Sequence, residues 1–144
     1  MTEFMQPINV TGSTRTLAKE DAGTFITVNR AAGTTITLPA SSGSGRWYRI
    51  FVGTTVTSNS LIVQVANATD IMSGLAIQAA DGGSTSNCWE TGASDDTITM
   101  NGTTTGGIKG DFIELADVYS GIWWVRVTGS ATGTEATPFS AAVS

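Results

Sequence analysis

Histidine is absent from this 144-residue chain, and cysteine occurs once, at Cys88. Without imidazole the commonest general base and metal ligand are missing, and with them any Ser-His-Asp or Cys-His nucleophile pair. A single cysteine excludes an intrachain disulfide, in keeping with folding in a reducing cytosol. Basic residues are few: Arg15, Lys19, Arg30, Arg46, Arg49, Lys109 and Arg126 stand against 12 acids, for a net charge of −5. A set so scattered does not neutralise a row of phosphates, and no nucleic-acid partner is expected. No apolar run reaches membrane-spanning length, and Met1 to Val10 has no basic residue ahead of its apolar positions. Neither a signal peptide nor a membrane partner is expected. Charged residues make up 13% of the chain, too few for a coiled coil or a charged disordered tail.

The catalytic templates that survive these absences are weak. A phosphate-binding loop needs Gly-Lys followed by Ser or Thr, whereas Lys109 in Gly106-Gly107-Ile108-Lys109-Gly110-Asp111 is followed by Gly and Asp. Glycoside cleavage needs two converging acids. Asp95 with Asp96, or Asp111 with Glu114, are the candidates, yet residues one or three apart on a strand point to opposite faces. They read better as solvated acids at turns and strand ends. Asp70, Asp81, Asp95, Asp96, Asp111 and Asp117 lack the ligand spacing of a calcium loop. No enzyme, cofactor or metal is expected.

What the chain does contain is Thr, Val, Ile and Gly in short alternating runs, together with four Trp, five Phe and two Tyr. β-branched residues suit a pleated, half-buried surface, and Gly-rich breaks suit turns. Candidate strands are Thr14–Leu17, Thr24–Asn29, Thr34–Leu38, Trp47–Val52, Leu61–Val65, Ile71–Ala79, Thr97–Met100, Asp111–Leu115 and Ile122–Val127. About nine short strands at this spacing predict an all-β, single-domain antiparallel β-sandwich or jelly-roll-like barrel. The domain is expected over residues 14–128, with an extended arm over 1–13 and a tail over 129–144, where Pro138 and Phe139 are the obvious anchors. Ala80 to Asp96 reads as a long loop around Cys88-Trp89-Glu90.

Two strands carry large side chains on both faces. Trp47, Arg49 and Phe51 oppose Tyr48, Ile50 and Val52, while Trp123, Val125 and Val127 oppose Trp124 and Arg126. In the second of these strands one Trp fills the core and the other must go elsewhere, and the set Trp47, Arg49, Trp124 and Arg126 is the candidate oligomer interface, since Trp and Arg are the enriched anchors there. Lys19 and Lys109 are the only lysines, so edge strands lack a common protection, and an oligomer is expected. Trp89 is the candidate glycan contact.

Glu20-Asp21-Ala22-Gly23-Thr24-Phe25-Ile26-Thr27-Val28, Gly33-Thr34-Thr35-Ile36-Thr37-Leu38-Pro39 and Arg46-Trp47-Tyr48-Arg49-Ile50-Phe51-Val52 follow one another in a way that resembles small structural proteins of tailed-bacteriophage virions. Asn59-Ser60-Leu61-Ile62-Val63, Asp70-Ile71-Met72-Ser73-Gly74, Gly110-Asp111-Phe112-Ile113-Glu114-Leu115 and Gly121-Ile122-Trp123 extend the resemblance over about Arg15 to Val127. It implies a head decoration, or cement, protein: a homotrimer made in the host cytoplasm that sits on the head exterior and clamps the major capsid protein. A head-fibre or tail-fibre module that binds host glycans is the alternative. The chain starts at its own Met1 and has no long shaft or heptad region, which is expected to set it apart from most tail fibres. On this reading Phe4, Met5, Ile8 and Val10 anchor an arm along a capsid sheet edge, and removing residues 1–13 leaves the domain folded.

Overall fold

Three triplets of one form, Ile8-Asn9-Val10, Ile26-Thr27-Val28 and Ile50-Phe51-Val52, lie in register beside one another as parallel strands. Their first and third side chains point the same way, and all but Ile8 are 4% exposed or less. The structure, a computed structural model, describes residues 6–144. Its strands are β1 (Ile8–Val10), β2 (Thr14–Thr16), β3 (Phe25–Val28), β4 (Thr34–Thr37), β5 (Trp47–Val52), β6 (Leu61–Gln64), β7 (Ile71–Ala80), β8 (Thr85–Glu90), β9 (Thr97–Met100), β10 (Phe112–Tyr119), β11 (Ile122–Ala131) and β12 (Phe139–Ser140). They form a seven-stranded sheet, β1-β3-β5-β10-β11-β7-β8, and a five-stranded sheet, β12-β9-β6-β4-β2.

The first six strands alternate between the sheets, so the chain winds through three rungs, each with one strand in either layer. Parallel neighbours need a long crossover; here the crossover is a strand of the opposite sheet rather than a helix. A second stack completes each rung. Arg15, Ile36 and Val63 share one register position, and Leu17, Leu38 and Val65 follow it in the core. The Leu17 amide donates to the Thr37 carbonyl and the Leu38 amide to the Gln64 carbonyl, both at 2.9 Å. Arg15 ends the stack in place of an aliphatic residue, its guanidinium 3.3 Å from Asp21. An inward charge on an edge strand opposes further pairing there. Gly33, at φ +81°, fits the turn of the second rung against Asn59 and Ser60 of the third; a side chain there would collide with their backbone.

After β6 the chain closes the sandwich. β10 runs antiparallel to β5 and β11 antiparallel to β10, while β7 is parallel to β11 and β8 returns antiparallel along β7. The inner faces of both sheets form one apolar cluster. Tyr48 and Trp123 meet within it, ring centroids 5.9 Å apart, and the Tyr48 hydroxyl donates to the Ala18 carbonyl at 2.9 Å. Burial, ahead of the nearby Asp21, pushes the Tyr48 phenol up to about 12.

The all-β sandwich agrees with the sequence reading, and five expectations are corrected. The strands number 12 rather than nine, and the sheets are mixed rather than antiparallel. Alternation reports which residues face inward, and it is the same for either strand direction. The arm is not free from Ile8 onward: β1 is a strand of the sheet, Val10 is buried and Ile8 packs on the core. Phe4 and Met5 lie outside the described residues. The tail folds back as well, with β11 reaching Ala131 and Phe139 buried where β12 pairs with β9. Finally, 80–96 contains β8 in place of one long loop; as an edge strand with Ser86 and Asn87 it carries little apolar alternation.

Because β1 contributes Val10 to the core and a ladder to β3, removing residues 1–13 is expected to cost about 3 kcal/mol of stability. A thermal unfolding midpoint equal to that of the full chain would contradict this assignment.

Candidate functional site

The outward face of the seven-stranded sheet concentrates the large exposed side chains. β5, β10 and β11 are central strands, so the residues opposite their core positions project together from the broad middle of the sheet. Cross-strand register sets out three rows. In the first, Trp47, Ala116, Trp124 and Ser73 are successive neighbours; in the second, Phe25, Arg49, Glu114, Arg126, Leu75 and Glu90; in the third, Thr27, Phe51, Phe112, Thr128, Ile77 and Cys88. The four residues expected at an oligomer interface, Trp47, Arg49, Trp124 and Arg126, are thus brought onto one surface. Sequence reasoning missed Glu114 and Ala116 between them, and the flanking Phe25 and Phe112, because only pairing places β10 between β5 and β11.

Arg49 is the hub of this surface. Its guanidinium lies 4.3 Å from the Trp47 ring centroid and 5.9 Å from that of Phe25, and its Nε is 3.5 Å from Glu114 Oε1. Such stacked cations hold aromatic faces in place. Phe25 and Phe112 lie 6.1 Å apart at a tilt of 45°. On the far side of Glu114, Arg126 stacks 5.7 Å from the Trp124 centroid. Its Nε is buried with no hydrogen-bond partner among the described residues. Between the two indoles, over Ala116, lies a trough of about 260 Å³ lined also by Arg49 and Glu114. Trp47 remains 38% exposed and Phe25 46%.

A second surface is the β10–β11 turn, where Val118 and Tyr119 are the most exposed large apolar residues, at 55% and 68%. The turn is anchored by Asp117. That buried carboxylate accepts hydrogen bonds from the Ser41 hydroxyl at 2.8 Å, the Gly43 amide at 2.9 Å, and the amide and hydroxyl of Ser44 at 3.0 and 2.7 Å. The Ser42 amide donates at 3.1 Å, and the Ser41 hydroxyl also reaches the Tyr119 carbonyl. Burial alone would raise the Asp117 pKa; the Ser44, Gly43 and Ser41 donors outweigh it and hold the carboxyl far below the usual range.

Asp70, Asp96 and Asp111 clasp loops in the same manner and are buried, whereas the sequence reading had Asp96 and Asp111 solvated. Asp96 accepts from the Thr97 hydroxyl at 2.7 Å and the Ala142 and Val143 amides at 2.9 and 3.2 Å, which tie the C-terminal segment down. These bonds overcome burial and lower its pKa. Asp111 accepts from the Gly107, Ile108 and Ser130 amides, yet burial prevails and its pKa is raised. Asp70 takes the Ser41 amide and Asn67 side chain. Asp111 turns inward and Glu114 outward, so the two do not converge, and Asp95 bonds the Gly92 amide away from Asp96. Among the described residues no three of Asp, Glu and Cys gather as a metal site.

Trp89, the candidate glycan contact, is partly buried. It faces inward from β8, packs on the core, and its Nε1 is buried. Burial removes Val10 from the candidate contact residues. No family model, curated protein or solved structure matches the chain.

Asp117→Ala is expected to cost about 3 kcal/mol, since several hydrogen bonds to one buried carboxylate are lost together, and to open Ser41–Ser44 to proteolysis. An unchanged melting temperature would refute the clasp. Asp96 and Asp117 have lowered pKa values, so their stabilisation is complete above the unfolded value of about 3.9 and is lost as pH falls through their folded values. Asp111 has the opposite sign, its protonation favouring the folded state. Denaturant titrations are expected to show stability falling below about pH 4, and falling less in Asp117→Ala.

Proposed function

We propose that the chain is a structural component of a tailed-phage virion, a head decoration protein that binds the exterior of the mature capsid without chemistry and associates with copies of itself. The observation that supports this reading is the composition of the outer sheet face: two Trp and two Arg around one Glu on a rigid sheet, the residue types that anchor protein interfaces. The phage context rests on the sequence resemblance. A clamp that binds the mature lattice and not its precursor stabilises that lattice by mass action. Several copies linked in one assembly multiply modest contacts into tight attachment.

We assign contact with the major capsid protein to the Val118–Tyr119 turn, whose apolar side chains are presented on backbone already fixed by Asp117. Preorganised contact groups lose little entropy on docking. Copy number per particle tests the role. Quantitative staining is expected to find the chain in numbers comparable to the major capsid protein, and Tyr119→Asp is expected to reduce head occupancy at least about tenfold, a loss of roughly 1.4 kcal/mol. A few copies per particle would point to a fibre, and none would remove the virion role.

One observation favours the fibre reading: the trough between Trp47 and Trp124 has indoles on both sides and Arg49 and Glu114 at its rim. A pyranose could stack there, with its hydroxyls on the charged pair. Titration of host surface polysaccharides against tryptophan fluorescence is expected to show no change for a decoration protein. A saturable change abolished by Trp124→Ala would establish the glycan-binding alternative.

A further inference from the structure

We infer that the outer face of the seven-stranded sheet is self-complementary about a two-fold axis, and that two copies of this chain pack face to face with the axis lying between β10 and β11, parallel to the strands. Such an axis places each β10 position over the β11 position that neighbours it in its own sheet. Glu114 is paired in register with Arg126, and Ala116 with Trp124. The operation therefore sets Glu114 against the second copy's Arg126, and Trp124 over the second copy's Ala116, twice over. A two-fold interface requires this reciprocity.

Charge and shape agree across that axis. Arg126 has no ion pair among the described residues, while Glu114 gives only Oε1 to Arg49. The second copy supplies the acceptor that Arg126 lacks. The trough over Ala116 receives the incoming indole. Further from the axis the same operation sets Trp47 opposite Ser73, and Phe112 beside the axis opposite Thr128, a large side chain over a small one, while Phe51 meets Ile77 and Arg49 meets Leu75 as apolar contacts at the flanks. Facing sheets pack about 10 Å apart with interdigitated side chains, and alternating size is what permits that spacing. An axis between β5 and β10 would set Phe25 against Arg126, leaving that guanidinium without an acceptor.

The trimer implied by the sequence resemblance would use two different patches in each contact; the reciprocal pairs on this face favour a dimer. The inference requires self-association but not a virion role, so solution mass tests it and copy number per particle tests the proposed function. Sedimentation equilibrium of the full chain is expected to give twice the 14.9 kDa chain mass. Glu114→Arg and Arg126→Glu are each expected to weaken the dimer about 30-fold, about 2 kcal/mol, by juxtaposing like charges. Glu114→Arg combined with Arg126→Glu restores it, because the exchange preserves the reciprocal pair. Ala116→Trp, which fills the trough, gives a monomer; circular dichroism and the melting transition establish that each variant is folded. A monomeric or trimeric wild type, a dimer indifferent to both single charge changes, or a doubly exchanged chain that stays monomeric would overturn the inference.

Discussion

The inner faces of the two sheets can be buried only against each other, because the described chain has no helix beyond a single 3₁₀ turn at Lys19–Asp21 to cover either one. Everything else follows from how the first three rungs meet that requirement. Each carries an Ile-x-Val triplet into one sheet and an aliphatic pair or its substitute into the other, and stacking in register lays Val10, Val28 and Val52 in one column and Leu17, Leu38 and Val65 in the opposite one. Long-range parallel pairing costs loop-closure entropy before it returns contacts. Winding the chain alternately through both layers repays that cost at each rung, since every crossover is itself a strand that buries a face.

With no histidine and few cations, the chain neutralises its buried acids by a different route. Asp96, Asp111 and Asp117 are each 5% exposed or less, and none has a basic partner. Backbone amides and Ser or Thr hydroxyls satisfy them instead. A carboxylate accepts several such bonds at once, so one side chain fixes a run of loop backbone that would otherwise hold unpaired donors. The result is a surface whose turns are held by buried acceptors and whose polar clasps stay away from the outer sheet face.

That face gains its character from double-sided strands. A strand at the centre of a seven-stranded sheet needs apolar residues on the core side only, yet β5 and β11 carry Trp and Arg on the other side as well. Arg49 covers part of Trp47 and Phe25, and Arg126 part of Trp124, so aromatic area is screened by guanidinium planes without being removed from reach of a partner. The edge strands are less adorned. β1, β2 and β12 are short, and β2 is further protected by the inward Arg15.

Alternation determined a good deal by itself: the all-β class, the inward direction of Tyr48 and Trp123, and the outward direction of Trp47, Arg49, Trp124 and Arg126, since side-chain direction on a strand has a period of two whatever the neighbours are. The Ile-x-Val and Thr-x-Thr-Leu repeats were also present in the sequence and were the available signal for parallel rungs. Tertiary structure alone decided which strands are adjacent, and adjacency is what inserts Glu114 and Ala116 between two Trp-Arg strands, seats β1 and β12 in the sheets, and turns Trp89 into the core. Pairing partners lie far apart in the chain, and their register is set by burial across both layers at once, a property no local stretch of residues contains.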